Sequence, residues 1–168
     1  MNAITRADRN QILASVAVLG GAVAAVGTTM TWFTIEIGGI AAPGGSATGM
    51  EGRDGWTVLA AAVASFVAAG LLLLRRNPMA AKVMLLVAGG VTTIVAVAGV
   101  IDASGKDHEV EEAFGIPADR VSASVGAGLW FVALGGVAEL TAGAISRHGA
   151  DETAAPATAS DSALSAPG

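Results

Sequence analysis

Few residues in this chain are equipped for chemistry. Glu139 is the one ionisable residue inside a long apolar run, and a carboxyl so placed is costly enough to be a functional candidate by default. It sits about four residues, roughly 6 Å, from the middle of its run near Gly135. From there it could make a structural polar contact between helices, snorkel or pair with a basic residue at the nearer end, hold a ligand or partner, or handle protons or ions. A proton path would call for further acids or histidines within the runs, and the sequence places none there. A second group, Asp107, His108, Glu109, Glu111 and Glu112, has the ligand types that bind divalent cations. It lacks the alternating acids and central glycine of a calcium loop and reads as a short solvated helix ending before Gly115, so no metal is assigned. His108 and His148 have no serine, acid and strand-turn-helix context around them. The glycine-rich stretch 42–52 lacks the lysine and following helix of a phosphate-binding loop. With 0 cysteines, thiolate metal sites and cysteine nucleophiles are excluded. The expectation is a protein that is not an enzyme and carries no cofactor; without a basic patch, nucleic acid is not a partner.

The elements that must position these residues are set by the solvent. Of 168 residues, 53% are hydrophobic and 14% charged, too apolar for a soluble domain of this size. The charges cluster, leaving four apolar runs at 12–32, 56–74, 83–101 and 125–145, each about 20 residues, the length a helix needs to cross roughly 30 Å of hydrocarbon. In lipid the backbone must bond with itself, so such runs become helices whatever their valine and glycine content. The first run could also be a signal-peptide core behind Arg6 and Arg9. Its length, and Thr28-Thr29-Met30 in place of a small-x-small cleavage site, favour a retained span.

Orientation follows from the basic residues. Arg6, Arg9, Arg75, Arg76, Lys82 and Arg147 fall on one side, against Arg53, Lys106 and Arg120 on the other, which places both termini in the cytoplasm. Trp32 closes span one, Trp56 opens span two and Trp130 lies in the first turns of span four, so all three indoles are expected at the outer headgroup boundary. An aromatic ligand cage would require them to converge.

Between the first two spans, outer loop 33–55 begins with Phe33-Thr34-Ile35-Glu36-Ile37, alternating with period two as a half-buried strand does. Gly38-Gly39 and Pro43-Gly44-Gly45-Ser46 supply turn chemistry, predicting a small β-hairpin over the bundle. Asn77-Pro78 turns spans two and three into an antiparallel pair. The second outer loop is 102–124. Residues 1–11 form a cytoplasmic N-terminus, and 149–168, rich in Ala, Ser, Thr, Pro and Asp, a disordered cytoplasmic tail.

Small residues recur at helix-packing spacing: Gly20-Gly21, Gly89-Gly90, Gly99, then Ser124, Gly128, Gly135 and Gly136. They let helices approach closely, within this chain or against another membrane protein.

The sequence therefore predicts an all-α membrane protein, a four-helix transmembrane bundle over 12–148 with a small extracytoplasmic β-hairpin between spans one and two. Its setting is the cell membrane of a cell envelope. Glu139, Trp32, Trp56, Trp130 and Gly128 are the interaction candidates, and the partners are the lipid bilayer together with a membrane protein or a second copy. The leading reading is an accessory or scaffold subunit. The alternatives are a small-molecule or ion transporter component using Glu139, and an envelope sensor signalling through the tail.

Three local patterns, Trp32-Phe33-Thr34, Asp54-Gly55-Trp56 and Gly126-Ala127-Gly128-Leu129-Trp130, carry a resemblance. The chain resembles uncharacterised four-span membrane proteins of actinobacteria across most of 12–145. Its layout is also distantly similar to claudin-like four-span proteins, with a shorter loop and without the paired cysteines. The resemblance implies the four-span fold and carries over no activity and no binding residue.

Overall fold

A computed structural model of the chain describes residues 6–74 and 76–151. Four helices, α1 (Arg6–Thr29), α2 (Arg53–Leu73), α3 (Pro78–Phe114) and α4 (Ala127–Asp151), form the body. Strands β1 (Thr31–Ile37) and β2 (Ile40–Thr48) lie between α1 and α2, and β3 (Val121–Val125) between α3 and α4. Each helix contains a stretch long and apolar enough to cross a membrane: Asp8–Thr29, Arg53–Leu73, Pro78–Glu112 and Ala127–Ser146. The helices close into a four-cornered ring in which α1 and α3 each pack on both α2 and α4. Thus α1 and α3 are diagonal partners, as are α2 and α4.

Side-chain size is sorted inside out. Ala14, Ala17, Ala24, Ala61, Ala62, Ala68, Ala69, Ala81, Ala88 and Ala96 are buried, while Leu19, Val67, Leu74, Ile94, Ile101 and Leu134 are exposed. A water-soluble bundle does the reverse, because exposed contiguous large apolar surface drives association. In lipid the outer groups are already solvated, and the helices are held by close contact between small residues.

Helix α4 shows how close that contact is. Gly128 and Gly135 lie against Gly27 and Gly20 of α1, and Gly136 and Gly143 lie against Gly89 and Leu86 of α3. Each pair on α4 is seven residues apart, two helical turns, so two glycine seams run down the helix toward its two neighbours. Between the seams the face carrying Val132, Glu139 and Ser146 points into the bundle, and all three are buried.

The helix termini explain the loops. Asn77 Oδ1 accepts the Ala80 N–H at 3.1 Å and Pro78 occupies the first turn, so α3 starts sharply after α2. Helix α3 then runs for 37 residues, about 55 Å at 1.5 Å per residue, well beyond a roughly 30 Å hydrocarbon layer. It stops at Gly115, whose φ of 66° is left-handed and whose N–H bonds Glu111 O at 2.8 Å. The acidic segment, expected as a short separate helix ending before Gly115, ends there but continues α3 as one helix, because nothing before Gly115 breaks it. The tail assignment shifts as well, since α4 includes 149–151; the rest of the tail and residues 1–5 lie outside the described residues.

The predicted hairpin is present as β1 and β2, joined through Gly38 (φ 63°) and Gly39 (φ 79°), the two positive angles that a tight two-residue hairpin turn requires. The sheet is larger than a hairpin. Strand β3 pairs antiparallel with β1 from Phe33↔Val125 to Ile37↔Val121, giving the order β2-β1-β3. Strand β2 is an edge, and Pro43 falls in its irregular stretch between the Glu36↔Ala41 and Thr34↔Ser46 pairs, where a missing N–H is tolerated. Helix α3 packs against β3.

Candidate functional site

The bundle core is divided in three along its axis. At the end away from the sheet lies an apolar cluster of Leu13, Ala14, Ala17, Ala68, Ala69, Leu72, Ala81, Leu85 and Ala142. Beneath the sheet lies a second, of Ala24, Trp32, Val58, Ala96, Leu129 and Val132. Between them, at the intervening positions of all four helices, come Gly20 and Gly21, Ser65, Gly89 and Thr92, and Glu139, a polar layer in an otherwise apolar interior.

Glu139 is 0% exposed. The neighbouring helices make room for it with glycine: a Cβ at Gly20 would stand 3.2 Å from its Cγ, one at Gly21 3.5 Å from Oε1, and one at Gly89 3.0 Å from its Cβ. The side chain therefore crosses the ring from α4 toward the junction of α1 with α2. There Ser65 is the neighbouring polar side chain. Both carboxyl oxygens and Ser65 Oγ are buried and make no hydrogen bond. The Thr92 and Thr93 hydroxyls, on α3, share that condition, with Thr93 packed against Gly136.

The side chains of Arg75 and Arg147, two basic residues of the nearer end, lie outside the described residues. No basic side chain reaches it among the described residues, and the carboxyl points into the core instead of climbing to the helix end.

The tryptophans separate into two kinds. Trp56 and Trp130 are both 59% exposed, on α2 and α4 at opposite corners of the ring, as boundary anchors would be. Trp32 is 7% exposed, which corrects its assignment as a boundary residue. It belongs to β1, and its Nε1–H donates to Gly27 O at 3.0 Å. Its ring lies on Gly49 on one side and Gly128 on another, so Gly128 serves the seating of Trp32 and the contact with α1 together. The Gly126 N–H then bonds Trp32 O at 2.7 Å, tying the start of α4 to the same residue. With one indole inside and two outside on diagonal helices, the three do not converge into a cage.

The side chains of Asp107, His108 and Glu109 lie outside the described residues, as does that of His148, so the acidic cluster is placed only through Glu111 and Glu112, both exposed on the last turns of α3. The residues missed by reading the sequence are Ser65, Thr92 and Thr93. Their signal was available: they are hydroxyls in the middle of apolar runs, at the depth of Glu139.

Comparison with protein-family models, with curated proteins and with solved structures gave no match.

Proposed function

We propose that the chain is a non-enzymatic multi-pass protein of the cell membrane, an accessory or scaffold subunit that holds a second membrane or envelope protein through its sheet-bearing end. The observation that carries this reading is the folded head. Both interhelical segments on that side join one sheet, α3 extends beside it, and Trp32 fastens it to the bundle. Such a surface is far more elaborate than joining helices requires, since the Asn77 turn does that in a few residues.

Arg53, Lys106 and Arg120 lie at the head end, with Arg76 and Lys82 at the other. Together with the remaining basic residues, this supports a head outside and termini in the cytoplasm. The transporter reading is weaker, because Glu139 is walled in by backbone contacts between helices and opens to neither end.

The test is crosslinking in intact cells, followed by purification in mild detergent at native abundance. Reproducible co-recovery of a specific membrane or envelope protein, lost when the head is altered at β2, is the expected result. Recovery of the chain alone as a monomer would remove the proposal.

A further inference from the structure

Other hydroxyls in these helices satisfy themselves locally: Thr28, Thr29, Thr141 and Ser146 each donate to a carbonyl three or four residues back, at 2.7 to 2.8 Å. Ser65, Thr92 and Thr93 do not, and they lie in or beside the layer that contains the one carboxyl buried among the described residues. A buried carboxylate with neither a cation nor a hydrogen-bond donor is among the least favourable states a protein interior can hold. Something must therefore neutralise the group.

The packing limits what that can be. Neither carboxyl oxygen, nor the oxygens of Ser65, Thr92 and Thr93, has surface that a water molecule could touch. A water needs space as well as polar partners, and a hydrated ion needs more. Nor, among the described residues, does a charged side chain face the group: α1 presents Gly20 and Gly21, α2 presents Ala62, Ser65 and Phe66, and α3 presents Gly89 and Thr92. The basic residues nearest along the helices are Lys82, seven positions before Gly89, Arg147, eight after Glu139, and Arg75, ten after Ser65, which sets them about 10, 12 and 15 Å away along the axes.

We propose that this layer is a proton-binding site, in which one proton resides on the Glu139 carboxyl and the resulting O–H is donated to the Ser65 hydroxyl, linking α4 to α2 across the bundle. The proton comes from water and returns to it; no other bond is made or broken. Protonation turns one orphaned acceptor into a donor and gives Ser65 Oγ a partner. Loss of the proton leaves a bare anion between apolar clusters, so the helices must part to admit water or a cation. The inference is independent of the scaffold reading.

The test is thermal unfolding of the full chain in detergent as a function of pH, for wild type, Glu139→Gln and Ser65→Ala. Gln is neutral, of the same size, and keeps a donor. The wild-type midpoint should fall by several degrees from neutral into the alkaline range, while Glu139→Gln stays flat and matches or exceeds wild type at neutral pH. Ser65→Ala should lower the midpoint at neutral pH. Parallel profiles for wild type and Glu139→Gln would overturn the proposal. So would a wild-type midpoint that rises when sodium replaces choline at constant pH and ionic strength, which would assign the site to a metal cation. Should Glu139→Gln fail to fold, infrared spectroscopy of the wild type decides: at neutral pH a neutral-carboxyl stretch must move when glutamate is carbon-13 labelled, and its absence refutes the site.

Discussion

A Cβ added at Gly135 of α4 would stand 2.6 Å from the carbonyl oxygen of Gly20 on α1, and one added at Gly20 would stand 3.0 Å from the carbonyl oxygen of Gly135. The same reciprocity holds one heptad away, where Gly27 and Gly128 would approach each other's carbonyls at 2.7 and 2.6 Å. Two backbones in mutual contact at two points fix both the spacing and the register of the α1–α4 pair. That contact also holds Glu139, four residues past Gly135, in the core.

Substitution at these glycines should therefore destabilise in proportion to closeness. Gly135→Ala and Gly128→Ala must push backbone against backbone, and the cost expected for overpacking is about 1–3 kcal/mol each. Gly70→Ala and Gly90→Ala, where nothing lies within 4 Å of the new methyl, should be neutral or stabilise by up to about 1 kcal/mol through helix propensity. Unfolding midpoints in detergent measure the contrast. Equal effects in the two pairs would contradict the seam.

Trp32 should behave as a core residue and its two relatives as surface residues. Trp32→Phe removes the bond to Gly27 O and should cost about 1 kcal/mol, whereas Trp32→Ala should cost about 3–5 kcal/mol through the cavity it leaves. Trp56→Ala and Trp130→Ala should change stability little. Fluorescence of double-Phe variants that retain a single tryptophan provides the check: Trp56 and Trp130 should be quenched by bromine-labelled lipids, and Trp32 should be the least accessible to quenchers in either phase.

Much of this was legible in the sequence, and what was not has identifiable causes. The four helices follow from uncharged length, and the β1–β2 hairpin from the alternation of 33–37 followed by Gly38-Gly39. Strand β3 carries the same alternation in Val121-Ser122-Ala123-Ser124-Val125. Its small side chains and its distance from any hairpin turn hid it, for its partner lies about 90 positions earlier. The burial of Trp32 depends on Gly49 and Gly128 both lacking a side chain, a coincidence of three distant positions that no local pattern encodes. Glu139 stood out by being charged. Ser65 and Thr92 did not, because a hydroxyl in an apolar run usually bonds its own helix.

The natural absence of cysteine makes topology directly measurable. Single cysteines at Ser46 and Glu111, both exposed at the head end, should react with a membrane-impermeant maleimide on intact cells. One at Arg76, exposed at the opposite end, should react only after permeabilisation. The reverse pattern would invert the proposed orientation, and labelling of all three without permeabilisation would contradict a membrane-spanning bundle.

The pairing of β1 with β3 makes the sharpest structural prediction, because antiparallel ladders alternate between two kinds of residue pair. The Gly38 N–H bonds Arg120 O at 2.8 Å and the Gly126 N–H bonds Trp32 O at 2.7 Å. Those bonds make positions 32, 34, 36 and 38 the hydrogen-bonded members of the ladder, and Phe33, Ile35 and Ile37 the non-hydrogen-bonded ones. Ile35 and Ala123 are thus a directly opposed non-hydrogen-bonded pair, for which a Cα separation of about 4.5 Å falls at the short end of the range a disulfide spans. Ile35→Cys with Ala123→Cys should crosslink under mild oxidation, whereas Ile35→Cys with Ser122→Cys, one residue out of register and on the other face, should not. Mobility on a non-reducing gel reads the outcome. Crosslinking by the offset pair and not the direct one would mean that the two interhelical segments meet in a different register, with every side chain of β3 turned to the opposite face.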